Sequence, residues 1–219
     1  MPTWLRPIVR ACAGALPGQL AGAATPPDDG SARESAVLIL FGETAGHPDV
    51  LLIQRALHLR SHPGQVAFPG GRVEPEDPDL PATALREAVE ETGLDPAGVE
   101  TLATLPSLWV PYSGNAVTPV VAWWREPSPV WAADRAEVAS VHRIRLDDLL
   151  EPAHRLQIRY PNGWSGPAFR ADGLLVWGFT AGVLAGLFDI AGVAKPWDRT
   201  RVEDFGEVPE IYGRGAALS

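Results

Sequence analysis

Residues 82–92 run without Pro or Gly, and short apolar stretches flank this segment on both sides at 36–41, 50–54, 99–110, 117–124 and 138–144. A breaker-free stretch of that length ending at Gly93 predicts a helix with a glycine C-cap. The flanking runs carry Val, Ile, Thr and Trp, and they are separated by Gly and Pro, so they predict strands. Strands at 36–41 and 50–54 would be joined by a loop holding Gly42, Gly46 and Pro48. A second helix is expected over 176–191, where Trp177, Ala181, Leu184, Leu187 and Phe188 fall near one face. A further short strand is expected at 157–160.

The chain has 219 residues, enough for one domain with a substantial core. Residues 1–34 read as an N-terminal helix and linker, 35–194 as the domain proper, and 195–219 as a polar, Gly-rich tail. In the first segment Leu5, Ile8, Val9, Cys12 and Leu16 follow helical spacing, which favours an amphipathic helix lying on the domain over a signal peptide. Arg10, Pro17, Gly18 and Gln19 interrupt its apolar stretch, so it makes a poor membrane span. Residues 17–34, rich in Gly, Ala, Pro and Asp, are expected to make few contacts. A formal net charge of −9 argues against a grip on long nucleic acid, which needs many Lys and Arg against phosphates. A lone cysteine, Cys12, excludes an internal disulfide and fits a reducing cytoplasm.

The chemistry concentrates on the predicted helix. Glu87, Glu90 and Glu91 lie one to four residues apart, a spacing expected to bring three carboxylates together, where like charges repel unless a cation joins them. Magnesium suits such oxygen donors and keeps coordination positions for water and substrate phosphates. Arg86 can pair with Glu90 one turn on. Upstream stand Phe68, Pro69, Gly70 and Gly71, whose glycines permit a tight turn and close approach to a ligand. Arg55, Arg60 and His62 would form a small cationic patch, with Arg suited to paired contacts on phosphate.

Together these residues resemble the Nudix box, in which Gly is followed after five residues by Glu, then after seven by Arg-Glu, an apolar residue, any residue, Glu-Glu, any residue, Gly and an apolar residue. Gly71, Arg86, Glu87, Glu90, Glu91, Gly93 and Leu94 stand in those roles. Asp77 replaces the first Glu, and eight residues rather than seven separate it from Arg86. Both departures resemble one branch, the coenzyme A pyrophosphatases. The stretch Leu51-Leu52-Ile53-Gln54-Arg55-Ala56, with Arg60, Gly64 and Phe68 to Gly71, is similar to the second signature of that branch, save for Gln54 where Thr is usual.

The resemblance implies a Nudix α/β/α sandwich with a mixed sheet. It implies Mg2+ or Mn2+ held by Glu87, Glu90, Glu91 and the Gly71 carbonyl, with Arg86, Glu87, Glu90 and Glu91 as the catalytic set. Arg55, Arg60, Gly70 and Gly71 would bind a small nucleoside diphosphate derivative, and Glu137 is a possible helper. The expected reaction is cleavage of coenzyme A or its thioesters to 3',5'-ADP and a 4'-phosphopantetheine, in a homodimer of the cytoplasm without membrane contact. Two alternatives stand beside it: a Nudix pyrophosphatase acting on ADP-ribose, dinucleotides or nucleoside triphosphates, and a non-catalytic ligand-binding regulator. The regulator would show an eroded acidic helix or an added DNA-binding domain.

Overall fold

A computed structural model describes residues 1–59, 62–111 and 113–207. The first helix, α1 (Arg6–Cys12), buries Ile8 and Cys12, and Leu5 in the 3-10 turn just before it is buried too, as their spacing predicts. It is shorter than expected. Leu16 stands 63% exposed because the helix ends at Cys12 and a 3-10 turn, Pro17–Gln19, follows. That turn also corrects the expectation of few contacts across 17–34. Leu20 is fully buried, and side chains added at Gly182 or Gly186 would collide with the backbone of residues 19–21.

Two strands follow, β1 (Arg33–Thr44) and β2 (His47–Arg55), pairing as an antiparallel hairpin in which Phe41 faces Val50 and Thr44 faces His47. Both exceed the apolar runs that announced them, and Gly42 and Pro48 lie inside the strands rather than in the turn. Two short strands come next, β3 (Val66–Ala67) against β2 and β4 (Gly70–Arg72) against β1. The helix α2 (Leu80–Thr92) starts two residues before the expected stretch. Asp79 caps it by accepting the Ala82 N–H at 2.8 Å, and Gly93 ends it in left-handed backbone at φ 65°.

The run at 99–110 divides at Leu105-Pro106-Ser107 into β5 (Val99–Thr104) and β6 (Leu108–Val110), both paired with β7 (Asn115–Trp124). Strand β8 (Val138–Arg145) pairs with β2, and a short helix α3 (Leu146–Leu150) follows. The main sheet has eight strands, with the order β3-β2-β1-β7-β5 and β4, β6 and β8 attached. It is mixed, because β1 and β7 run parallel while its other pairs are antiparallel.

Alternation along β1 explains why its run is apolar throughout. Ala36, Leu38 and Leu40 face α2 with Ala84 and Ala88, while Ile39 and Phe41 face the opposite core. That second core holds Leu184, Leu187 and Phe188 of α4 (Gly178–Ile190) together with Leu5 and Ile8. The sheet thus lies between helical layers, the α/β/α arrangement expected. Val176 ends a strand, and Trp177 is the N-cap of α4 rather than part of its apolar face.

A second sheet has the order β11-β10-β9-β12, formed by β9 (Arg155–Arg159), β10 (Ser165–Ala171), β11 (Leu174–Val176) and β12 (Val202–Asp204). Gly166 and Pro167 concealed β10 from the sequence, since Pro inside a run argues against a strand. Within the expected tail, β12 lies parallel to β9, with Val202 opposite Gln157. Residues 208–219 lie outside the described residues.

Candidate active site

The turn before α2 meets the helix face to face. The Leu38 N–H donates to the Pro69 carbonyl at 2.8 Å, and β4 continues in register against β1 with Ala36 opposite Gly71. A side chain at Gly70 would strike the Ala36 carbonyl, and one at Gly71 would occupy the space of the Glu87 carboxylate. The two glycines therefore let a backbone strand lie directly on an acidic helix. The sequence pattern anticipated close approach to a ligand; the approach seen here is to the Ala36 carbonyl and the Glu87 carboxylate.

The three glutamates take different positions. Glu91 is buried, 3% exposed, and accepts the Gly70 N–H at 2.9 Å. Glu87 is partly buried against Gly71, and Glu90 turns outward with its side chain 56% exposed. Positions 90 and 91 are separated by about 100° around a helix of 3.6 residues per turn. By the same geometry Glu87 lies between the other two, roughly 40° from Glu91 and roughly 60° from Glu90. Glu90 is tied to Arg86, whose Nη1 lies 3.3 Å from its carboxylate and 3.1 Å from that of Glu87.

Arg86 is fully engaged. Its Nε and Nη2 donate to the two oxygens of Asp77 at 3.0 Å each, and Nη2 also donates to the Arg72 carbonyl at 2.9 Å. Asp77 accepts further from the Glu74 N–H and the Thr83 hydroxyl, both at 2.9 Å. The Arg86 hydrogen bonds, followed by that from Glu74, hold the Asp77 carboxyl well below the usual carboxylate range. Asp77 thus locks the loop to the helix through Arg86, and the longer spacing between them is absorbed by the loop at 74–79.

Burial works in the other direction on the inner carboxylates. It pushes Glu91 up to about 8, against the Gly70 N–H, and the charges of Glu87 and Glu137 push the same way while Arg55 opposes them. Burial also raises Glu87, against Arg86. Arg55, the last residue of β2, has a buried Nε without a hydrogen-bond partner among the described residues. Glu137 is exposed just before β8, and its backbone carbonyl accepts the Ala56 N–H at 2.8 Å. His62 lies near this end of β2 in left-handed backbone at φ 55°. Arg60, the other expected phosphate ligand, lies outside the described residues.

Among the described residues no three His, Cys, Asp or Glu side chains surround a common point. The donor set still suits a divalent cation. Two inner carboxylates sit against the Gly70-Gly71 backbone, and burial disfavours their charged forms, which a hard cation would restore.

The model of the NUDIX domain matches residues 32–162, which include this turn, loop and helix. The chain belongs to the Nudix family. Two curated relatives carry the name "Uncharacterized Nudix hydrolase NudL", from Salmonella paratyphi B (strain ATCC BAA-1250 / SPB7) and Salmonella newport (strain SL254). Each is 41% identical over 168 residues, covering 75% of this chain and 85% of its own length. Among solved structures, a Nudix hydrolase from M. Smegmatis, RenU, aligns at 18% identity with a TM-score of 0.49, over 73% of this chain and 86% of that one. The protein is accordingly a Nudix hydrolase, an enzyme of diphosphate cleavage in a family that generally uses divalent metal ions. Among the described residues no helix is long and apolar enough to cross a membrane.

Proposed function

We propose that this enzyme hydrolyses the diphosphate bond of coenzyme A or its thioesters, giving 3',5'-ADP and a 4'-phosphopantetheine. The observation that carries the reading is Arg55. It lies within the stretch that resembles the coenzyme A pyrophosphatase signature, and it stands close enough to Glu91 to act on its ionisation, with a buried donor still unanswered. A cation so placed beside an acidic floor suits a phosphate bound against the metal.

Glu87, Glu91 and the Gly71 carbonyl would hold Mg2+ or Mn2+, with Glu90 at the outer edge. When bound, the ion neutralises phosphoryl oxygens and acidifies water. The chain's own part is positioning. Arg86 clamps the loop at Asp77 and steers Glu87 and Glu90, the Gly70-Gly71 strand brings backbone within reach of the ligand, and Arg55 orients the diphosphate. Glu137 adds negative charge near Glu87 and Glu91, where it can accept a proton from attacking water.

The test is a substrate panel. Purified protein with magnesium is incubated with coenzyme A, acetyl-coenzyme A, ADP-ribose, a dinucleotide and a nucleoside triphosphate, and the products are identified by mass. Release of 3',5'-ADP with phosphopantetheine, at the highest specificity constant of the panel, is the expected result. Intact coenzyme A beside brisk cleavage of ADP-ribose would overturn the substrate and leave the diphosphatase in place.

A further inference from the structure

A cavity lies at α4, on the face of the main sheet opposite α2, and holds none of the Nudix residues. Its volume is about 160 Å³, an order of magnitude beyond what one water requires. Arg155, the first residue of β9, lines it while remaining only 1% exposed. Its guanidinium is stacked between the rings of Phe169 and Trp197, at 5.1 and 4.7 Å. Its Nε and Nη1 are buried without a hydrogen-bond partner, and so is the indole Nε1 of Trp197, a second residue of the lining. Every unanswered group here is a donor. A group that satisfied them would accept hydrogen bonds, and the charge of the unpaired guanidinium favours an anion among such acceptors.

The charge around the cavity narrows the class. Arg155 forms no ion pair among the described residues; the nearby carboxylate, Asp189, is paired with Arg199 at 3.7 Å, and both line the cavity with more exposed side chains. Two guanidinium groups and one carboxylate leave a single positive charge. Trp164 and Pro167 add apolar wall. Burial, opposed by Asp189 and reinforced by Arg199, disfavours the charged form of Arg155, the direction a bound anion would reverse.

We propose that this cavity binds a small organic carboxylate, its charge on Arg155 and its apolar body against the tryptophan walls. The proposal is independent of the diphosphatase substrate. Calorimetric titration of the full chain with acetate, benzoate and orthophosphate, in chelator, tests it. Saturable binding of either carboxylate is expected, unaffected by Glu91→Gln and weakened at least about tenfold by Arg155→Met, the loss of a charge-assisted contact. Ala185→Leu, which adds bulk to the cavity lining and keeps Arg155 itself, should also weaken binding while the protein melts near the wild-type temperature. This second variant decides the matter if Arg155→Met fails to fold. Absence of saturable carboxylate binding, binding indifferent to Ala185→Leu, or a site that takes orthophosphate in preference would overturn the proposal.

Discussion

Arg86 and Arg155 carry the same charged group in opposite circumstances. Arg86 lies on α2 with its guanidinium spread over Asp77, Glu87, Glu90 and the Arg72 carbonyl, and those contacts hold its proton more firmly than usual. Arg155 is more deeply buried, yet has two rings for neighbours, no hydrogen bond from Nε or Nη1, and a proton loosened by burial. A buried ion is costly unless paired. The difference therefore separates an arginine that completes a rigid scaffold from one whose complement is a ligand. The inner carboxylates of α2 resemble Arg155 in this respect, since burial disfavours their charge and an opposite ion would restore it.

The largest effects should fall where that unbalanced charge meets the reaction. Glu87→Gln and Glu91→Gln each preserve shape and an acceptor oxygen while removing the charge. Each is expected to lower turnover with magnesium by about 10²- to 10³-fold, the scale of losing one electrostatic contact to a transition state. Glu90→Gln should cost less, because the Glu90 side chain is 56% exposed whereas Glu91 is buried. Steady-state rates of the three variants provide the check. Equal loss at all three would show that Glu90 moves inward during the reaction.

Next in size comes Arg86→Lys. A lysine cannot span both oxygens of Asp77 and also reach the Arg72 carbonyl, so the loop loses its lock while a positive charge remains. Turnover should fall by about 10- to 100-fold, as is usual for groups that orient metal ligands. Apparent magnesium affinity should weaken with it. Unchanged kinetics would mean that the loop at 74–79 is held by Asp77 contacts to Glu74 and Thr83 alone.

The two regions also differ in how far the chain announces them. The acidic helix is local: its glycine C-cap, its Arg-Glu spacing and the Gly70-Gly71 turn lie within 24 residues, and positions along one helix fix which faces they share. The central strands were legible because burial on both faces makes residues 36–41 of β1 and 120–124 of β7 apolar. The role of Asp77 was not, for it depends on how the loop folds back to present both carboxylate oxygens to Arg86. The separation of Glu90 from Glu91 follows from helical geometry but is obscured when all three glutamates are treated as one cluster. At the other end, β10 and β12 exist through pairing with β9, and Arg155 meets Trp197 only after the chain has crossed the second sheet and α4. Nothing in the residues next to Arg155 marks it as a buried cation.

A smaller effect follows from the titration of Glu91. Its folded-state pKa of about 8 lies above the unfolded value of roughly 4.3, so the native protein retains a proton that the unfolded chain releases. The stability that this protonation supports is complete below the unfolded value and is lost as pH rises through the folded one. Metal-free wild type should therefore lose stability between about pH 4 and 8, by on the order of 1 kcal/mol for each whole step in pH as an upper bound. Glu91→Gln should flatten that decline, and magnesium added at pH 8 should raise the wild-type melting temperature more than that of the variant. Thermal melts at pH 5 and pH 8 in chelator check both expectations, and parallel profiles for the two proteins would remove Glu91 as the source.

Arg155→Met should produce the smallest change in stability. It removes two cation–π contacts, each worth about 0.5–1 kcal/mol at ordinary sites. It also removes an unpaired buried charge and its unanswered donors, whose burial is unfavourable. Methionine retains an unbranched apolar stem, and its sulfur packs well against aromatic rings such as those of Phe169 and Trp197. These effects oppose one another, so urea denaturation should give a midpoint near that of the wild type. Arg86→Met provides the contrast: it leaves Asp77, Glu87 and Glu90 without their shared cation and should lower the midpoint clearly. If Arg155→Met were instead the more damaging of the two, its guanidinium would be a strut joining β9 to the chain at Trp197, and the distinction between a scaffold arginine and a ligand-seeking one would fail.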